Sequence, residues 1–193
     1  MNPDTLTPYT MEELQEELTR VKSRESFLYG LRNTVIGLLV VAAVTAVITT
    51  FLVPVLHIYG NSMSPTLNNG DIVVTLKEKN IEPGDIIAFY SNNKVLVKRV
   101  IAESGDAVSI DSSGTVSVND TVLEEPYVSA VSFGQCDLVF PYQVPEHSLF
   151  VMGDHREVSI DSRTTEIGCI PDDQIIGKII FRIWPLNAVN KVH

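Results

Sequence analysis

Residues 70–102 read GDIVVTLKEKNIEPGDIIAFYSNNKVLVKRVIA. Three short runs rich in Ile, Val and Phe are separated by Asn, Gly and Pro, which is the punctuation of an antiparallel meander and not of helices. Strands are expected over residues 71–76, 85–90 and 95–102, with Ser91-Asn92-Asn93-Lys94 as the turn between the last two. The unit Gly-Asp-Ile opens a strand at 70 and again at 84. Further strands are expected over 107–110, 116–118, 148–152 and 175–183, and residues 119–146 are irregular. No long amphipathic helix is expected after residue 57. The fold class that follows is mainly β, an antiparallel arrangement folded over on itself or barrel-like.

The chain before this stretch has a different texture. Residues 33–56 carry no charged side chain. As a helix they reach about 36 Å, enough to cross a bilayer with some tilt. A cleaved signal peptide is a poorer reading, because about thirty residues precede the run. Arg20, Lys22, Arg24 and Arg32 lie before it, and no basic residue follows until Lys77. The positive-inside bias places the N-terminus in the cytosol and the β region outside, a single-pass protein of a cytoplasmic membrane.

Three segments are therefore expected: 1–32 cytosolic, 33–56 spanning, 57–193 an extracytoplasmic β domain. Residues 1–9 read as disordered. Thr10 and Glu13 fit a capping box, and Met11, Leu14, Leu18 and Val21 recur at helical spacing, which gives a short amphipathic helix. Residues 10–28 read most simply as a solvated helix leading into the span. A helix partner, the membrane surface and the secretion machinery are the other candidates for that face.

The chain has 193 residues and a net charge of −10, which excludes nucleic acid as a natural partner. The histidines show no metal-ligand spacing and there is no CxxC, so neither a metal nor another cofactor is expected. Cys136 and Cys169 both fall in the outside segment, where a disulfide is permitted but not required.

Chemistry is sought first at Gly60-Asn61-Ser62-Met63-Ser64-Pro65-Thr66-Leu67, a polar loop just beyond the span. A serine such as Ser62 needs a base to become a nucleophile. His57, His147 and His155 stand in no telling context. Lys98 is the better candidate: on a strand it shares its face with Leu96 and Val100, and apolar surroundings favour the neutral amine. Ser91 and Lys94 match an S-x-x-K pattern, but that pattern needs a helix, and Asn92-Asn93 reads as a hairpin turn. Asn119-Asp120-Thr121 matches a glycosylation acceptor, a tripeptide common by chance.

With these residues in view, the chain resembles the type I signal peptidases in their short single-span form. Four blocks carry the resemblance in order: residues 60–67 after the span; Gly84-Asp85-Ile86-Ile87-Ala88-Phe89; Lys98-Arg99-Val100-Ile101-Ala102-Glu103-Ser104-Gly105-Asp106; and Gly153-Asp154-His155-Arg156-Glu157-Val158-Ser159-Ile160-Asp161-Ser162-Arg163. The resemblance implies a membrane-bound serine endopeptidase that removes signal peptides from preproteins, cleaving after Ala-x-Ala-like sites. It implies Ser62 as nucleophile, Lys98 as general base and Ser159 as the group that orients Lys98. Arg99 with Asp154, and Asp161 with Arg163, would be structural ion pairs. Two shallow pockets for small side chains are implied, with Ile58, Met63 and Ile86 as candidate lining.

Two positions depart from the family pattern. Gly60 stands where some members have a serine that helps hold the oxyanion, which leaves the Ser62 N–H and a second donor such as another N–H or the Asn61 amide. His155 stands where the family has asparagine, and is expected to alter a turn and not the chemistry. Two other readings fit the sequence: an inactive tethered domain that binds peptides, and a specialised peptidase with few clients.

Overall fold

A computed structural model describes residues 10–52, 54–78 and 80–192, and it divides into two units, residues 1–49 and 50–193. The expected disorder of residues 1–9 lies outside the described residues, as do the side chains of Glu13, Leu18 and Arg24.

The first unit is helical. Helix α1 (Met11–Leu52) runs unbroken for 42 residues, about 63 Å at 1.5 Å per residue. The sequence predicts a short helix and then a span, and the structure joins them into one rod. Leu14–Val47 is long and apolar enough to cross a membrane, and its most apolar window has no buried residue. The hydroxyls of Thr34 and Thr45 donate to the carbonyls of Gly30 and Val41, at 3.0 and 2.9 Å. Polar groups on an apolar surface are thus satisfied within the helix. The helix ends ahead of Pro54, which has no N–H to continue the ladder. Leu56, the last residue of the expected span, lies in a strand.

The second unit is β. Its strands are β1 (Val55–His57), β2 (Ile72–Leu76), β3 (Ile86–Ser91), β4 (Lys94–Ala102), β5 (Ala107–Ile110), β6 (Val116–Val118), β7 (Thr121–Val122), β8 (Tyr142–Gln143), β9 (Ser148–Met152), β10 (Ile170–Pro171), β11 (Ile175–Trp184) and β12 (Asn190–Lys191). They pair antiparallel in two sheets. The larger has the order β1-β2-β11-β3-β4-β9-β10, with β12 against β11; the smaller has the order β7-β6-β5-β8. The strands that sequence reasoning misses have two or three residues each, too few to show alternation.

One local device starts three of the strands. Gly70, Gly84 and Gly105 have φ of 94°, 97° and 89°, the left-handed angle that the third residue of a type II turn requires. The aspartate that follows each one closes the turn. Asp71 Oδ2 accepts the N–H of Asn68 at 3.0 Å, Asp85 Oδ2 that of Glu82 at 3.0 Å, and Asp106 Oδ2 that of Glu103 at 2.9 Å. The repeated Gly-Asp is therefore a turn that aims a strand. Asn92 and Asn93, both at positive φ, make the two-residue hairpin between β3 and β4. Asn119 and Asp120 do the same between β6 and β7. The Asn119 side chain there bonds Ala107 N–H and Asp106, at 2.9 and 2.7 Å.

Alternation along the strands feeds separate apolar clusters. Ile86 joins Ile58, Met63, Leu67, Val73 and Ile179, whereas Ile87 and Phe89 join Val100, Val151 and Ile170. Both faces of the central strands are thus buried. Strand β4 is paired with β3 from Lys94 to Arg99, but with β9 only from Arg99 onward. Its first half, Lys94 to Lys98, keeps a free edge. Strand β1 also has one free edge, since it ends the larger sheet. The two meet across one cavity of about 350 Å³, although β2, β11 and β3 lie between them in the sheet order. The sheet is accordingly curled, and the cavity opens between its unpaired edges.

Candidate active site

The cavity is lined by Leu56 to Gly60 and Ser62-Met63 on one side, and by Lys94 to Lys98 on the other. Ser62 and Lys98, far apart in sequence, are therefore brought to the same space. Ser62 sits in the turn that follows β1, half-buried. The loop is fastened below it by Met63 and Leu67, which are 2% and 0% exposed. The Ser62 carbonyl accepts the N–H of His155 at 3.0 Å. Among the described residues, no hydrogen bond occupies the Ser62 hydroxyl or its N–H, and none joins Ser62 to Lys98.

Lys98 is 4% exposed, and its Nζ donates to Ser159 Oγ at 3.0 Å. Burial lowers its pKa from an ordinary 10.5 to about 8. The nearby charges oppose one another: Asp161 raises it, Arg163 lowers it and Asp154 raises it. Desolvation wins because no carboxylate contacts the amine directly. The sequence reading of Lys98 as an amine tipped toward neutrality agrees with this, and Leu96 and Val100 of its strand pack in one apolar cluster.

Gly153 holds the serine and lysine halves in register. A methyl on its Cα would strike the Ser159 hydroxyl and the Ser62 carbonyl oxygen. Its N–H donates to Asp161 Oδ2 at 3.0 Å. Only a residue without Cβ lets the Ser62 carbonyl and the Ser159 side chain close on this point.

Around this core stand three buried arginines, each tied to a carboxylate. Arg99 makes a two-pronged pair with Asp154, Nε to Oδ1 at 2.9 Å and Nη2 to Oδ2 at 2.7 Å. Its third arm reaches the Gly84 carbonyl at 2.7 Å, and its plane lies 3.9 Å over the Tyr127 ring. Thr66, four residues after Ser62, donates to Asp154 Oδ2 at 2.5 Å, so the pair also anchors the serine loop. Arg163 pairs with Asp161 at 2.8 and 2.9 Å, and also donates to the carbonyls of Phe133 and Arg156 at 2.8 and 2.9 Å. Arg156 pairs with Glu125 at 2.8 Å and 2.5 Å. Buried guanidinium groups are tolerated only when paired and bonded in this way.

Several expected positions are corrected or refined. Ile58 and Met63 line the cavity, but Ile86 does not: it is 2% exposed and packs in the cluster with them. Gly60 has φ of 89°, and a Cβ added there would meet nothing within 4 Å, so its role is conformational. Its N–H is taken by Asn69 Oδ1 at 3.0 Å. The His155 carbonyl accepts the N–H of Ser159 at 3.1 Å, while its Nδ1 is buried without a partner. Both cysteines are free thiols. Among the described residues no cluster has the donors to hold a metal. Sequence reasoning misses Thr66, Glu125, Tyr127 and the lining residues Leu96 and Val97. A Thr-x-x pattern or a lone Glu carries no local signal of a partner dozens of residues away.

Comparison with known proteins finds relatives of the chain. The family described as signal peptidase, peptidase S26, matches residues 31–184. A signal peptidase IB of Staphylococcus aureus (strain COL) is 35% identical over 79% of this chain and 89% of its own length. A signal peptidase I of Leptolyngbya laminosa is 32% identical over 98% of this chain and 95% of its own. The crystal structure of a signal peptidase I from Enterococcus faecalis V583 is 28% identical, covering 52% of this chain and 97% of that one, with a TM-score of 0.44.

Proposed function

The chain belongs to the signal peptidase family, peptidase S26, and from that premise we propose that it cleaves signal peptides from preproteins with Ser62 as nucleophile and Lys98 as general base. The observation that carries the reading is the buried Lys98 amine, its pKa lowered to about 8, held by Ser159 at the cavity that Ser62 lines. Neutral Lys98 takes the Ser62 proton as Oγ attacks the scissile carbonyl. The C–N bond breaks and Lys98 returns the proton to the departing amine. Lys98 then takes a proton from water, the hydroxide attacks the acyl ester, and Ser62 recovers its hydroxyl.

The unoccupied Ser62 N–H is one donor for the oxyanion. The Gly60 N–H is a weaker candidate for the second because Asn69 already uses it; the Asn61 amide is exposed and is the better one. Specificity for small residues at −1 and −3 fits the apolar lining that Ile58, Met63, Leu96 and Val97 give the cavity. The free edges of β1 and β4 suit a substrate that adds as an extended strand. In this reading α1 crosses a bacterial cytoplasmic membrane and the β unit works outside it.

The test is cleavage of a preprotein in detergent micelles, with the new N-terminus sequenced. Ser62→Ala and Lys98→Ala each lower kcat/KM by at least about 10³-fold while leaving the fold intact. For the wild type, kcat/KM rises with pH through an apparent pKa about 8. Normal turnover by either variant, or a flat profile from pH 6 to 9, overturns the dyad.

A further inference from the structure

The cavity has an outer end that the proposed reaction does not use. In an acidic chain, Lys94 and Lys98 are the only charged groups that line it among the described residues. Lys98 is buried at the inner end and bonded to Ser159. Lys94 is exposed at the other end, and among the described residues no carboxylate pairs with it. Its position is not loose: it is the first residue after the Asn92-Asn93 turn, and it pairs across that turn with Ser91. Exposure falls steadily along the strand, from Lys94 and Val95, through Leu96 and Val97, to Lys98. A substrate laid on this edge therefore meets a cation, an apolar floor, and then the reacting groups.

We propose that Lys94 is a specificity residue that selects an acidic side chain at position −5 of the substrate. The inference rests on the peptidase reading above. The register comes from strand geometry. All the β4 residues that line the cavity lie on the N-terminal side of Lys98, so substrate residues ahead of the cleaved bond run from Lys98 toward Lys94. Strand partners keep step at about 3.3 Å per residue. With −1 beside Lys98, −3 lies beside Leu96 and −5 beside Lys94, the substrate running parallel to β4. The same alternation puts the side chains of −1, −3 and −5 on one face. Small residues suit the apolar part, and a carboxylate suits the end.

The experiment compares kcat/KM of the full chain in neutral detergent micelles for peptides with small residues at −1 and −3 and Glu, Gln or Lys at −5. The wild type favours Glu over Gln by about three-fold, the size expected of an exposed ion pair, and Gln over Lys by a similar factor. Lys94→Gln levels the Glu and Gln peptides, and Lys94→Glu inverts the order so that Lys is best. These ratios are taken within one variant, so they do not depend on how much of it is folded. Half-molar salt shrinks the wild-type preference. An unchanged order in Lys94→Glu overturns the inference alone. If that variant instead loses affinity for vesicles of anionic lipid with the peptide order intact, the lysine faces lipid and the inference also falls. Failure of the wild type to cut any peptide sinks the peptidase reading itself.

Discussion

A lysine kept nearly dry is a stability cost, which the proposed dyad accounts for. Lys98 binds its proton up to about pH 8 when folded, but up to an ordinary 10.5 when the chain is unfolded. Between these values the unfolded chain holds more protons, so stability rises with pH across that window, and below pH 8 the full cost is present. The shift corresponds to a cost on the order of 3 kcal/mol. Lys98→Met is therefore expected to stabilise the protein at pH 7 by about 1–3 kcal/mol, net of the lost Ser159 bond, while abolishing turnover. Denaturant unfolding of both proteins at pH 7 and pH 10 checks it. The gap should narrow at the higher pH, and a variant less stable at pH 7 would contradict the account. The sequence made this residue legible, because Lys98 stands between Leu96 and Val100 on a strand. It gave no hint of Thr66 or Glu125, whose partners Asp154 and Arg156 come from remote segments.

At the scale of elements, the site is the meeting of one loop, half a strand and one knot of turns. The loop after β1 brings Ser62, the unpaired half of β4 brings Lys98, and residues 153–163 tie them together. Gly153 is the tightest point, since a Cβ there would strike both the Ser62 carbonyl and the Ser159 hydroxyl. Gly153→Ala is expected to lower kcat/KM by at least about 10²-fold by displacing reacting groups on the scale of an ångström. Overpacking should cost about 1–3 kcal/mol of stability as well. Kinetics and denaturant unfolding on the same preparation separate the two effects, and near-normal kcat/KM would show that the close approach is not needed. The long strands β2, β3, β4, β9 and β11 were readable from alternation and turn residues. Strands β1, β7, β8, β10 and β12 were not, because pairing to a neighbour and not their own pattern makes them strands. The free edge of β4 was equally hidden, because a missing partner leaves no mark in a sequence.

At the scale of the whole molecule, the charge pattern and the rod-like α1 imply a fixed sidedness. Basic residues before the apolar stretch and their absence just after it favour the N-terminus inside. In spheroplasts, protease added outside is expected to reach the β unit and to spare an N-terminal tag; the reverse digestion pattern would refute that orientation. In the proposed orientation the β unit has to fold after its chain has crossed the membrane. Lys98 and Ser159 are 61 residues apart, Arg99 and Asp154 are 55 apart, and Thr66 and Asp154 are 88 apart. Closing such long loops is slow relative to forming local turns. Lys98 emerges well before the serine that holds it, so a partly translocated chain carries a serine and a lysine but no poised amine. On the proposed mechanism, the connectivity itself keeps the molecule inert until its folding is complete.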